Sequence, residues 1–410
     1  MNDLSLTAGR NAQRPWEARW SRWLLERQQQ QLLRSTRCVE PLPGGRCRIN
    51  QRELWNFGTN DYLGLSDHPL VIDAARQTLS RAGVGARASA LVCGHTPWHV
   101  QLEQALAAFE GTEKALVFPS GWAANTGILT ALIDHHDIVF CDRWNHASLI
   151  DGCRASGATL RIYRHDHLEV LERELRRAHT APCRWIVTDA VFSMDGDLAP
   201  LDRLADLAQQ HTAGLIVDEA HGTGVYGMQG RGACEHYHVE EHVTVRIGTL
   251  SKALGTLGGF VCGSHLLIET LVNAARSLIY STALPPAICA AAITAIQLLQ
   301  QPQLRRELWD RVQTFQRALT DHGLVIPKPA IGPIIPIILG DAQSALWAAQ
   351  KLEQRGFLVP AIRPPAVAHH TARLRISVSR HHPPEILRAL ATTLYEVLQE
   401  LNITRQQTVS

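Results

Sequence analysis

The chain has 410 residues, 45% hydrophobic and 19% charged, which is enough apolar content for a large core and excludes a disordered or disulfide-stapled scaffold. Forty Lys and Arg against 38 Asp and Glu leave a net charge of +2, so no basic field exists to hold a nucleic acid against salt. No apolar stretch approaches the ~20 residues of a membrane helix, the first residues lack a secretory apolar segment, and the nine cysteines show no C-x-x-C spacing. A cytoplasmic protein of about two domains, bound to no membrane and holding no metal, is expected.

Residues 1–58 read as an N-terminal helical segment. Trp16, Trp20 and Trp23 fall at i, i+4 and i+7, one face of a helix, which is expected to pack on the main body. Asp3, Glu17 and Glu26 argue against a transit peptide or a membrane-surface helix.

Residues 59–290 alternate short β-branched runs with helical stretches. The runs are Ala115–Phe118, Asp137–Cys141, Leu160–Tyr163, Trp185–Thr188, Gly214–Asp218, Val243–Thr249 and Gly259–Cys262, with helices predicted between them over Leu168–Ala178 and Leu201–Gln210. This pattern predicts a large α/β domain with a mainly parallel seven-stranded sheet covered on both faces. Residues 291–410, reached through a helix over Pro286–Gln300, predict a smaller α+β domain. Its strands are Ile334–Leu339, Phe357–Ile362 and Leu374–Val378, and its last helix carries Leu387, Leu390, Leu394, Val397, Leu398 and Leu401 on one stripe.

The chain holds only four lysines. Lys114, Lys328 and Lys351 have the neighbours of surface lysines, whereas Lys252 lies among small and apolar residues just after a strand. About thirty residues upstream, the strand Gly214–Asp218 delivers Asp218 and then His221 at its exit. A third feature, Ser120-Gly121-Trp122, joins a strand to a helix whose free N–H groups make an anion site. In an open α/β sheet, ligands bind outside the carboxyl ends of the strands, so these three features converge. A lysine, an acid and a phosphate cradle are what pyridoxal phosphate requires. Two other patterns lose on context. Gly222-Thr223-Gly224-Val225-Tyr226-Gly227 spells a dinucleotide fingerprint without the tight strand-to-helix turn, and Asp218-Glu219-Ala220-His221 spells a helicase box without a phosphate loop.

The segments Asn60-Asp61-Tyr62-Leu63-Gly64, Phe192-Ser193-Met194-Asp195-Gly196-Asp197, Asp218 to Gly224 and Thr249-Leu250-Ser251-Lys252 resemble the α-oxoamine synthases, pyridoxal-phosphate enzymes of the aminotransferase fold type I. The likeness runs in order from about residue 50 to 380. Ala361-Ile362-Arg363-Pro364-Pro365 and Thr371-Ala372-Arg373-Leu374-Arg375 most resemble the member that condenses L-alanine with a pimeloyl thioester on the way to biotin.

The resemblance implies that Lys252 holds the cofactor covalently and moves the substrate proton, and that Asp218 pairs with the pyridine nitrogen. It implies that His146 stacks on the ring and assists catalysis, that Ser193 and His221 bond the phenolic oxygen, and that Gly121, Trp122 and Thr249 hold the phosphate. Thr282 matches a residue given by a partner subunit, implying a homodimer, and Asn60 and Arg363 match ligands of the amino-acid carboxylate. The acyl donor rides on acyl-carrier protein or coenzyme A. Ala86, Ala90 and Ala366 depart from the family's usual residues, as do His369 and His370, and these changes bear on acyl specificity.

Overall fold

The protein is described by a computed structural model covering residues 14–324 and 332–409, with side chains placed to residue 401. The chain start at 1–13 and Lys328 lie outside the described residues. A helix Pro15–Gln29 is followed by three antiparallel strands, β1 (Glu40–Leu42), β2 (Arg46–Ile49) and β3 (Arg52–Asn56). Among the described residues, the helical reading of residues 1–58 therefore holds for Pro15–Gln29 alone. Alternation over residues 46–56 is short and charge-rich, which hid these strands from a periodicity argument.

The seven predicted runs form one sheet. Its strands are β4 (Lys114–Phe118), β5 (Ile138–Asp142), β6 (Thr159–Tyr163), β7 (Arg184–Asp189), β8 (Gly214–Asp218), β9 (Val245–Thr249) and β10 (Gly259–Gly263). They lie in the order β4-β10-β9-β8-β7-β5-β6, with β10 alone antiparallel to its neighbours. The β-strand period of two sends alternate residues to opposite faces. Phe140, Ile186, Leu215 and Val217 join the core on one face, while Val139, Val187 and Ile216 join the core on the other. Helices Leu168–Arg177 and Leu201–Gln210 cover the first face, and Gly121–Leu132 and Ala147–Ala155 cover the second. Both faces are thus buried, and the carboxyl ends of six strands open on one rim.

The C-terminal part carries β11 (Ile334–Gly340), β12 (Phe357–Leu358), β13 (Ala361–Ile362) and β14 (Ala372–Ser377). The run Phe357–Ile362, expected as one strand, is two. β12 pairs with β3, whereas β13 pairs with β14 in the sheet β11-β14-β13. Pro360 between them has no N–H to continue a ladder, and its carbonyl instead accepts the Arg375 N–H at 3.1 Å. The last helix, Pro384–Val409, buries Leu387, Leu390, Leu394, Val397 and Leu401 as its stripe requires. No helix among the described residues is long and apolar enough to cross a membrane.

The expected packing of the tryptophan face is not observed. The helix Pro15–Gln29 buries no residue, and Trp16, Trp20 and Trp23 are 47%, 56% and 56% exposed. The i, i+4, i+7 spacing specifies a face but says nothing about what meets it.

His382 joins the two ends of the chain. Its ring stacks on Phe57 with centroids 3.9 Å apart, Nδ1 accepts the Ser379 N–H at 3.0 Å, and Nε2 lies 3.2 Å from the Asn56 carbonyl. One nitrogen accepts and the other donates, so the ring is neutral. Burial, opposed by the Asn56 carbonyl and aided by His381, pulls His382 from 6.5 to about 3. The unfolded chain then takes up a proton that the folded one refuses. The stabilisation is complete above pH 6.5 and falls by about 1.4 kcal/mol per pH unit as the medium is acidified from there toward about 3. Urea unfolding of the protein and of His382→Phe between pH 7 and 5 should show a pH slope shallower in the variant, by a difference that approaches one proton at pH 5.

Candidate active site

A cavity of about 250 Å³ opens at the sheet's carboxyl rim, lined by Gly121, Trp122, His146, Ser193, Asp218, His221, Thr249 and Lys252 among others. Eight of the residues assigned from the sequence therefore meet in one place. Each arrives by the same construction, a strand end followed by a turn. Ser120 ends the β4 exit and caps the helix Gly121–Leu132, its Oγ accepting the Ala123 N–H at 3.1 Å. The Gly121 and Trp122 N–H groups, on the first turn, have no acceptor within the helix and remain available to an anion. Thr249 Oγ1 stands beside Gly121, where an added Cβ would meet it at 3.4 Å.

Asp218 and Asp189 are opposite residues on the adjacent strands β8 and β7. Asp218 accepts hydrogen bonds from Asn125 Nδ2 at 2.7 Å and the Ala220 N–H at 2.8 Å, while Asp189 accepts the His146 N–H at 2.7 Å. Burial, followed by the nearby Asp218 charge, raises Asp189 well above the ordinary carboxyl range. Burial lowers Lys252 to about 8, although Asp218 and Asp189 pull the other way. An amine with that value keeps an unprotonated fraction at neutrality, which nucleophilic lysine chemistry requires.

The two histidines are both held toward the neutral form. Burial lowers His146, with Asp218 raising it and Lys252 lowering it further. Its Nδ1 lies 2.7 Å from Ser148 Oγ, which also accepts from Asn125 Nδ2 at 2.9 Å, and its ring meets Trp122 edge-on at 5.9 Å. Burial and then the Lys252 charge lower His221 well below its usual value, and its Nδ1 lies 2.7 Å from the Tyr62 hydroxyl.

Three assigned residues lie apart from this cavity. Asn60 is one step away, its Oδ1 accepting from both Arg375 Nη atoms at 3.3 Å. Arg363 donates to the carbonyls of Gln31 and Leu33 at the N-terminal linker. Thr282 is exposed and bridges to Ser89. Asn125, Ser148, Asp189 and Arg375 received no role from the sequence. Asp189 ends a strand as Asp218 does, so the same rule would have found it. Asn125 and Arg375 act through partners distant along the chain and leave no local signal.

The glycine pattern at Gly222, Gly224 and Gly227 has a structural cause. Glu219 is buried and accepts the Ala233 and Cys234 N–H groups at 2.9 and 2.6 Å, so the loop folds back over its own carboxylate. A Cβ at Gly222 would lie 1.7 Å from Glu219 Oε2. No long helix follows, and the next one spans only Ala233–His236, so a dinucleotide turn is absent here. A larger cavity of about 620 Å³ lies elsewhere, against the helix Pro97–Glu110, and none of the assigned residues lines it. Size is a poorer guide here than the convergence of polar groups.

The smaller cavity suits pyridoxal phosphate. It presents an amine poised near neutrality, a carboxylate aimed by two donors, and a helix start with free N–H groups.

Residues 52–394 match the family model described as "Aminotransferase class I and II". Among curated proteins, the chain is 47% identical over 370 residues to a putative 8-amino-7-oxononanoate synthase of Desulforudis audaxviator, covering 90% of this chain and 96% of the relative. It is 46% identical over 366 residues to the 8-amino-7-oxononanoate synthase of Methylococcus capsulatus, covering 89% and 94%. Among solved structures, serine palmitoyltransferase from S. paucimobilis with a bound pyridoxal phosphate–myriocin adduct superposes with a TM-score of 0.90 at 31% identity, covering 95% and 100%. The 8-amino-7-oxononanoate synthase of Francisella tularensis superposes at 0.73 and 30% identity, covering 85% and 98%. Fold, site and relatives agree, and the chain belongs to the aminotransferase class I and II family, within it to the α-oxoamine synthases, acyltransferases that depend on pyridoxal phosphate.

Proposed function

We propose that this chain condenses L-alanine with a pimeloyl thioester to give 8-amino-7-oxononanoate, carbon dioxide and the free carrier thiol, a step of biotin biosynthesis. The carrier is acyl-carrier protein or coenzyme A, which present the same pantetheine arm. The reading rests on the gathering of Lys252, Asp218, His146 and His221 in one cavity. The relatives named for this activity, at 47% and 46% identity, support the choice of substrates.

Bound pyridoxal phosphate supplies an electron sink for the carbon beside the substrate nitrogen. Lys252 Nζ anchors the cofactor and, once released, takes the Cα proton and later returns one. With its value near 8, roughly one amine in ten is unprotonated at pH 7. Asp218 would pair with the pyridine nitrogen, and Asn125 and the Ala220 N–H fix the direction of its carboxylate. Ser193 and His221 serve the phenolic oxygen, and Gly121, Trp122 and Thr249 serve the phosphate. His146, which lines the cavity, would pack on the cofactor ring. With Nδ1 engaged by Ser148, its Nε2 is left to polarise the thioester carbonyl.

The amino-acid carboxylate falls to Arg375 with Asn60, because this guanidinium is buried beside the cavity and already aims two nitrogens at Asn60 Oδ1. For Arg363 to serve, it must leave the carbonyls of Gln31 and Leu33. The reading includes a homodimer in which Thr282 reaches the cofactor of a second copy. The exposed apolar side chains of Val84, Leu91, Val92 and Tyr280 support such a contact.

Product analysis with alanine, glycine or serine, each given with pimeloyl or palmitoyl thioester, tests the substrates. 8-Amino-7-oxononanoate from alanine is expected, and turnover of serine with the long-chain donor alone would replace the reading. Lys252→Ala should lower turnover about 10²–10⁴-fold and release pyridoxal phosphate on dialysis while leaving the far-UV spectrum intact. Capture of added pyridoxal phosphate by the cofactor-free protein needs the unprotonated amine. Its rate should rise about tenfold per pH unit below about 8 and level off above, followed by absorbance. Arg375→Ala should raise KM for alanine roughly 10²-fold, as expected for losing a paired, charge-assisted contact. The same rise in Arg363→Ala instead would move the carboxylate to Arg363.

A further inference from the structure

His165 belongs to none of the segments discussed above and does not line the cofactor cavity. It follows the edge strand β6, and its side chain is 8% exposed. Nδ1 lies 3.2 Å from Asp142 Oδ2 and Nε2 lies 3.4 Å from Asp197 Oδ2, while the ring stacks on Phe192 with centroids 4.2 Å apart. A ring whose two nitrogens both face carboxylate oxygens donates from both, and so is an imidazolium. Burial lowers its value, but the hydrogen bonds to Asp142 and Asp197 prevail and raise it to about 9. The neighbouring Arg164 is turned outward to Asp166 at 2.6 Å and does not share the role.

The two carboxylates belong to different loops of the site. Asp142 ends β5, and its other oxygen accepts the Trp144 N–H at 2.8 Å, shaping the turn that presents His146. Asp197 closes the turn that presents Ser193. There the Phe192 N–H donates to the Asp197 carbonyl at 3.0 Å and the Gly196 N–H to the Phe192 carbonyl at 2.8 Å. The far side of that turn is held by Arg375 on the Ser193 carbonyl and Arg373 on Asp195, both at 2.6 Å. Remove the cation, and the two carboxylates would lose the group that both of them face, which favours separation of the loops.

We propose that His165 is a positioning residue of the cofactor site, a cationic strut that ties the His146 loop to the Ser193 turn and fixes the separation at which the two side chains enter the cavity. Only the identity of the ligand rests on the proposed function. The linkage between the loops does not.

The test uses His165→Phe, which keeps the stack on Phe192 and removes both donors. Amide hydrogen exchange on the full-length cofactor-free protein should show segments 142–146 and 192–197 exchanging at least about tenfold faster together, with 249–254 unchanged. The dissociation constant for pyridoxal phosphate should rise about 10–100-fold, the usual cost of losing a supporting contact. Unchanged exchange in either loop would overturn the proposal. Should the variant not fold, Asp197→Asn serves, with faster exchange expected in 192–197 and none in 142–146. Unchanged exchange in 192–197 would again overturn it. Failure of the parent protein to capture pyridoxal phosphate would instead sink the functional reading and leave the exchange result standing.

Discussion

An ammonium group placed beside two carboxylates in a buried rim has to be held there by the whole sheet. Lys252, Asp218 and Asp189 are brought together because β7 and β8 pair in parallel register, placing the two acids side by side, and because the chain leaves β9 immediately beside them. Desolvation would expel such charges, so each of the two acids accepts from donors held in fixed positions. The Ala220 and His146 N–H groups are set by strand-end turns, and the Asn125 amide by the first turns of a capped helix. The reactivity of the lysine is thus a property of strand register more than of its immediate sequence.

The same logic explains why some polar residues near the site have no part in the chemistry. Glu219 follows Asp218 directly, yet it turns away from the cavity and folds the glycine loop over itself. Adjacent residues at a strand end point to opposite sides, so one acid lines the cavity and the next serves the fold. What resembles a nucleotide fingerprint is backbone closing on the Glu219 and Glu235 carboxylates at Gly222 and Gly227, and on Ala253 and Leu299 at Gly224.

Much of this was legible in the residues. The seven β-branched runs are the seven strands, and the strand-end rule brought Asp218, Lys252 and Gly121 to one cavity. Apart from β1, β2 and β3, three short strands inside a stretch read as helical, the failures concern what meets a segment and not what the segment is. The tryptophan face was correctly a face, but nothing in the spacing named its partner. The split of Phe357–Ile362 follows from Pro360, whose missing N–H was visible, whereas the two different sheets that receive its halves were not. Arg363 and Arg375 are both arginines flanking the same turn. Only the three-dimensional arrangement shows one anchored to the N-terminal linker and the other to Asn60.

The pairing of β3 with β12 sets Trp55 opposite Phe357. On a translating ribosome, at ~5–20 residues per second, the first strand waits roughly 15–60 seconds for its partner to be made. From β5 onward the intervening strands can pair nearly in chain order meanwhile, while β4 waits for β10. The N-terminal strands therefore spend that interval as an unsatisfied edge, and the final seal of the native chain is a late event that the last quarter of the protein controls.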